Sequence, residues 1–320
     1  MRKYTGLRIT GVAILAWLLY RVDLRHIYGI LMGSRVTLIW AALAAMMLHV
    51  LIKFVRYQYI LTQQHVDSPF RKTVQFSMAA IYLSFITPGR VGEVGKAFFI
   101  HRDRGASLKK LLAGSILDRL YDVYLLIFTT LAGIIFLITP LGSGALPLSL
   151  SLMAIALAPL VLLIPGIRSA LLSIVCWVPR KIRKSDALFH QLNDFLQEID
   201  VLLNWKLGWG LLLTIIAYML FFYSCSLMSL SVGVFLPYHK IAFFVACVNI
   251  ASFLPISFAG IGTREACLVY LFAREGLSSE SALAFSTVMF LLTYVFFGVF
   301  GFACLMTLKQ EKAPSAVGGS

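Results

Sequence analysis

Ser84-Phe85-Ile86-Thr87-Pro88-Gly89-Arg90-Val91-Gly92-Glu93 interrupts an apolar stretch, and the second half of the chain repeats the interruption as Ser252-Phe253-Leu254-Pro255-Ile256-Ser257-Phe258-Ala259-Gly260-Ile261-Gly262-Thr263-Arg264-Glu265. Both stretches open Ser-Phe, break at Pro, pass through Gly and leave with Arg and Glu. Pro removes a backbone donor and Gly tolerates conformations other residues avoid, so each stretch reads as a helix that stops and restarts. Paired interruptions in corresponding halves of an apolar chain are the sequence mark of a transporter-type site.

The composition places these breaks in a membrane. Of 320 residues, 60% are hydrophobic and 13% charged, and the mean hydropathy is +0.87. No soluble domain of this length has that balance, whereas a polytopic membrane protein does. The fold class expected is therefore all-α and polytopic, with about six spanning helices plus two re-entrant or broken helices. The spans fall at about 7–22, 37–60, 114–139, 148–166, 207–232 and 281–308, and the broken elements at about 74–88 and 241–258. One membrane domain covers residues 1–308, and residues 309–320 form a polar tail.

Charge sets the orientation. Lys and Arg number 28 against 14 Asp and Glu, for a net charge of +14. With a cytoplasmic N-terminus and six crossings, 22 basic residues lie on the cytoplasmic side, leaving Arg21, Arg25, Arg35, Lys240, Arg264 and Arg274 on the other. That is the expected inside bias. It sets both termini on the cytoplasmic side. The same arrangement makes the second half (about 148–308) an upside-down copy of the first (about 1–139), with the two breaks approaching from opposite leaflets. Lys53 and Arg56 sit late in a span and are expected to reach out to the cytoplasmic surface. An amphipathic stretch from Asp186 to Asn204 reads as an interfacial helix.

The basic surplus flanks apolar spans rather than forming a folded basic module, so anionic lipid is the partner it implies and nucleic acid is not. The five cysteines lie in apolar stretches without metal-ligand spacing, and the six histidines form no metal pair; no metal or cofactor is expected. Gly89 through Ala97 faintly resembles a phosphate-binding loop, but the first Gly is misplaced, Ala97 replaces Ser/Thr, and no soluble strand precedes it.

The candidate headgroup-binding residues follow from the two restarts: Thr87, Gly89, Arg90, Gly92, Glu93 and Lys96 in the first, and Gly260, Gly262, Thr263, Arg264 and Glu265 in the second. A helix start exposes unpaired N–H groups and partial positive charge, and an adjacent Arg completes a phosphate site. Thr87 and Thr263 are the expected caps. Gly89, Gly92, Gly260 and Gly262 leave room for a headgroup against the backbone. The competing reading has the Arg–Glu pairs only pinning the breaks. Asp118, Arg119 and Asp122 form a supporting charge cluster, the two aspartates sharing a helix face at i, i+4 and placed to receive Arg90 or Lys96 or to bind a coupling proton. A salt-bridge cluster at the cytoplasmic end of the span is the plainer alternative.

Three motifs in order, Thr87-Pro88-Gly89-Arg90-Val91-Gly92-Glu93, Leu117-Asp118-Arg119-Leu120-Tyr121-Asp122, and Leu254-Pro255 through Gly260-Ile261-Gly262-Thr263-Arg264-Glu265, give the chain a further feature. Over nearly its whole length it resembles the membrane domain of the lysylphosphatidylglycerol synthases, the flippase-like or UPF0104 family. The resemblance implies a multi-pass inner-membrane protein that binds or moves a phospholipid or a polyprenyl-phosphate-linked lipid. The soluble aminoacyl-transfer domain of the full-length synthases has no counterpart in these residues, so lipid aminoacylation by this chain alone is not expected. Ala259 and Leu291 depart from the pattern, standing where Gly and Arg are expected. Three functions compete: a lipid translocator with no catalytic residues; an intramembrane enzyme on lipid-linked sugars or aminoacylated lipids; and an accessory subunit of a lipid-modifying enzyme. Assembly with a second copy stays open.

Overall fold

The computed structural model describes residues 24–138, 207–253 and 262–310. Among them every regular element is helical. In chain order these are α1 (Leu24–Met32), α2 (Val36–Gln63), α3 (Phe70–Ile86), a 3-10 segment (Pro88–Gly95), α4 (Lys96–Arg104), α5 (Leu108–Gly133), α6 (Leu207–Ser231), α7 (Tyr238–Phe253), α8 (Thr263–Arg274), α9 (Ser279–Phe290) and α10 (Phe297–Gln310). π-helical turns extend α5 over Ile134–Ile138 and join α9 to α10 over Leu291–Phe296.

Four stretches are long and apolar enough to cross a membrane: Val36–Gln63, Leu108–Phe136, Gly208–Ser231 and Ser279–Leu308. The longest, α9 with α10, runs 30 residues, about 45 Å at 1.5 Å per residue against a hydrocarbon core of about 30 Å. These are four of the six expected spans. The other two, 7–22 and 148–166, lie outside the described residues, as do the interfacial stretch 186–204 and Gly260.

The first break follows from its sequence. A residue before Pro is driven out of the α region, and Thr87 is extended, with φ −107° and ψ 137°. The chain resumes not as an α-helix but as eight residues of 3-10 helix, longer than such runs usually persist. Packing maintains it. A Cβ placed on Gly92 would collide with the carbonyl carbon and oxygen of Leu83, so the 3-10 segment lies directly on the backbone of α3. α4 then ends at Gly105, left-handed at φ 66°, with His101, Arg102 and Arg104 in its last turn against the exposed carbonyls.

Two apolar clusters form the interior. The larger draws on α1, α2 and α5 to α10, and includes Met46, Leu126, Phe221, Phe243, Phe272 and Phe285. The smaller joins the far ends of α2 and α5 to α3 and α4, through Tyr57, Ile60, Phe76, Ile100, Leu111 and Leu117. Along α2 the order is Met46, then Lys53 and Arg56, then Tyr57; along α5 it is Leu117, then Asp118 and Asp122, then Leu126. The two helices run in opposite directions, and their charged residues meet in the seam between the clusters.

Candidate functional site

At that seam, seven ionisable side chains from four elements interlock. Arg56 is fully buried and donates from Nε to Asp118 Oδ1 at 2.8 Å and from Nη2 to the Asp118 carbonyl at 3.0 Å. Its Nη2 stands 2.9 Å from Asp122 Oδ1, and its Nη1 donates to Thr214 Oγ1 on α6 at 2.7 Å. Lys53, one turn earlier on α2, sits 2.7 Å from Asp122 Oδ2 and 3.3 Å from Glu93 Oε1. Arg119 Nη1 reaches Glu93 Oε2 at 2.5 Å, and Lys96 pairs with Asp118. Lys96 also lies over the Tyr57 ring, 3.8 Å from its centroid.

This overturns one expectation. Lys53 and Arg56 do not reach out to the surface: Arg56 has no exposure, and the Lys53 side chain is 16% exposed. A buried cation without partners is prohibitive, whereas one with carboxylates and hydrogen bonds is tolerated. Here α5 supplies two carboxylates at i, i+4 on the face that meets α2. Of the two partners expected for those aspartates, Lys96 arrives and Arg90 goes elsewhere.

A cavity of about 100 Å³ opens beside the cluster. Lys53, Arg90, Glu93, Lys96, Asp118 and Arg119 form its charged wall. Apolar and polar residues of α2, α3, α6, α7 and the α9–α10 junction close the remainder, including His49, whose Nδ1 is 2.7 Å from the Ala217 carbonyl oxygen. The volume suits several waters or one compact polar group.

Arg90 has an unusual backbone. Its φ is 56°, a left-handed conformation that costs a non-glycine residue about 1–2 kcal/mol. Its guanidinium donates to the Tyr294 hydroxyl and lies over that ring, 5.5 Å from the centroid. Tyr294 belongs to the π-helical junction of α9 and α10; π turns re-aim side chains and concentrate at functional sites.

The second restart is built differently. Glu265 accepts a hydrogen bond from the Gly262 N–H at 2.7 Å, so the chain turns into α8 at Gly262, whose φ is 87°. The cap is thus Gly262, one residue before the expected Thr263, because only glycine adopts that φ without strain. Arg264 Nε donates to Glu265 Oε1 at 3.0 Å and to Ser286 Oγ at 3.1 Å, while Ser286 donates to Glu265 at 2.9 Å. Arg264 Nη1 is buried with no hydrogen-bond partner among the described residues. The Arg264 guanidinium lies over Phe290 at 5.3 Å and over Tyr294 at 5.4 Å.

The expected residues therefore separate into two places. Arg90, Glu93, Lys96, Asp118, Arg119 and Asp122 gather with Lys53 and Arg56. Arg264 and Glu265 pair with each other, and the link from Arg264 to Arg90 is the Tyr294 ring. Thr87 caps nothing in the usual i+2 or i+3 sense; its hydroxyl donates to the Leu83 carbonyl at 2.9 Å and accepts from the Gly92 N–H at 2.8 Å, tying the break to α3. Gly89 lies within the 3-10 segment, and Gly92 gives its open face to α3. The residues that sequence reasoning does not assign to the site are Lys53, Arg56, Thr214 and Tyr294. An i, i+3 pair of cations inside an apolar span is the available signal for the first two.

Apolar helices long enough to cross a bilayer and a buried ionic cluster at a broken helix define a polytopic all-α membrane protein. Residues 5–301 match the family model for the lysylphosphatidylglycerol synthase TM region, and the chain belongs to that family. No curated protein matches the chain.

Proposed function

We propose that this protein is a lipid translocator of the bacterial inner membrane, with both termini cytoplasmic, that takes a phosphate-bearing headgroup into the cavity beside the 3-10 break. The observation that carries the reading is the charge of the cavity wall. Four basic residues, Lys53, Arg90, Lys96 and Arg119, face two acidic ones, Glu93 and Asp118. Adding Arg56 and Asp122 behind them leaves the same surplus of two positive charges. A positive surplus in a low-dielectric interior favours an anionic occupant, and ionisable groups at such depth mark transport pathways. Family membership supports lipid as the cargo.

In this reading the two halves are inverted repeats, and Tyr294 joins their broken elements. Lipid crossing consists of one repeat rocking against the other, with the Arg90 and Arg264 contacts on Tyr294 made and released in turn. Asp118 and Asp122 hold ion pairs with Arg56, Lys53 and Lys96. That arrangement suits positioning more than acid–base chemistry, and it favours transport over the intramembrane-enzyme alternative.

Reconstitution into liposomes tests the proposal. A fluorescent acidic phospholipid is expected to exchange between leaflets in wild-type proteoliposomes and to slow at least about tenfold with Lys96→Met or Arg90→Ala. Equal exchange by wild type, both variants and protein-free liposomes removes the translocator reading.

A further inference from the structure

The cavity has a second wall that the cations do not explain. Ser77 on α3, Thr293 at the α9–α10 junction and Asn249 on α7 face the same space. Ser77 is 5% exposed, and its hydroxyl has no hydrogen-bond partner among the described residues; the buried hydroxyl of Thr293 has none there either. Asn249 donates from Nδ2 to the Val245 carbonyl at 2.8 Å, which leaves its amide oxygen as an acceptor. Buried polar groups in native proteins are nearly always satisfied, so these hydroxyls are free to bond whatever enters the cavity, water or a ligand that displaces it. Serine and threonine hydroxyls both donate and accept, and the Asn oxygen accepts; their natural complement is a hydroxyl group.

We infer that the cavity selects an acidic phosphate ester that carries hydroxyl groups and no amine, with the phosphate on the Lys53–Lys96–Arg119–Arg90 wall and the hydroxyls on Ser77, Thr293 and Asn249. This rests on the lipid-translocator reading and narrows its substrate class. Two features exclude an amine. The surplus of two positive charges repels a further cation across a few ångströms of weakly screened interior. Each carboxylate of the wall is shared by two cations, Glu93 by Lys53 and Arg119 and Asp118 by Arg56 and Lys96, so the charge left unmatched is positive. A lysyl ester adds two ammonium groups and a long side chain to the same headgroup.

The test is competitive retention. The full chain is reconstituted in phosphatidylcholine vesicles containing equal amounts of phosphatidylglycerol, phosphatidic acid and lysyl-phosphatidylglycerol, then re-extracted, and the lipid held by the protein is measured by mass spectrometry. Phosphatidylglycerol is expected to be enriched at least about tenfold over the lysyl ester and several-fold over phosphatidic acid. Ser77→Ala and Thr293→Val, both mild in volume, are expected to abolish the preference over phosphatidic acid while leaving the discrimination against the amine. Enrichment of the lysyl ester to the level of phosphatidylglycerol or beyond overturns the inference. So does an unchanged preference over phosphatidic acid in the double variant. Soluble glycerol 3-phosphate, added as competitor, separates the carriers: displacement of bound lipid assigns the site to a free phosphate ester and overturns the lipid-borne form. Failure of the underlying reading looks different, since then no acidic lipid is enriched over phosphatidylcholine and Lys96→Met changes nothing.

Discussion

Arg90 and Arg264 lie over the same aromatic ring. Their guanidinium carbons are 5.5 Å and 5.4 Å from the centroid of Tyr294, and each Arg follows one of the two broken segments. Two cations on one ring repel each other and are attracted to its π-face, so the ring couples the segments without a direct bond between them. Tyr294→Phe removes the hydroxyl that accepts from Arg90 and keeps the ring. It is expected to cost about 1 kcal/mol of stability and leave the folded detergent-solubilised protein intact. Tyr294→Leu removes both cation contacts, and transport is expected to fall more than in Tyr294→Phe. Thermal unfolding and lipid exchange of the two variants, compared side by side, check the order.

Arg56 is the residue whose loss should be felt most. Arg56→Met leaves Asp118 and Asp122 with half their compensation and is expected to destabilise by about 3–5 kcal/mol. Adding Asp118→Asn to Arg56→Met is expected to recover part of that loss, because the second change removes a buried charge the first one stranded. A double-mutant cycle by chemical denaturation reads the coupling. Additive effects would show that the pair contributes nothing jointly.

Much of the fold is legible in the order of residues along the chain, and the reason differs from element to element. Val36–Gln63 and Ser279–Leu308 are marked by a sustained apolar run, a property of the chain alone. The break after Thr87 is legible because Pro88 constrains its predecessor locally. Asp118 and Asp122 are recognisable as one face by their spacing. The placement of Lys53 and Arg56 is not, because snorkelling and burial differ only in whether a carboxylate waits on a neighbouring helix, and Asp118 lies 62 residues downstream of Arg56. The 3-10 form of Pro88–Gly95 depends on contact with Leu83 and is equally hidden. Tyr294 reads as one more aromatic in an apolar span; the π turn that aims it has no local sequence mark.

Gly92 is predicted to tolerate nothing larger. The Cβ of Gly92→Ala would stand 2.7 Å from the Ser84 nitrogen and closer still to the Leu83 carbonyl, and backbone cannot swing aside as a side chain does. A loss of about 1–3 kcal/mol is expected, with transport lost through displacement of Glu93 and Lys96. Gly105→Ala, where a Cβ meets nothing but φ is 66°, is the control: it carries conformational strain without the clash and is expected to leave transport unchanged.

Arg90 combines a left-handed backbone with a charged side chain, and two substitutions separate these. Arg90→Ala retains the strained φ of 56°, whereas Arg90→Gly relieves it. The glycine variant is expected to be about 1 kcal/mol more stable than the alanine variant, with both equally deficient in transport. A melting-temperature difference of a few degrees, without a matching difference in lipid exchange, is the expected pattern.

The pairing of Arg56 with Asp118 and Asp122 also bears on the order in which the protein is made. α2 emerges during synthesis carrying two cations late in its apolar run, where each costs less than the about 2.5–3.5 kcal/mol of a charge at the helix centre. Their carboxylate partners, Glu93 of the 3-10 segment for Lys53 and Asp118 and Asp122 of α5, all lie beyond α3. Until those carboxylates arrive, the two cations of α2 reach out toward the bilayer edge. They turn inward only as those partners dock, so the packing of the first half is expected to form as one cooperative unit rather than helix by helix.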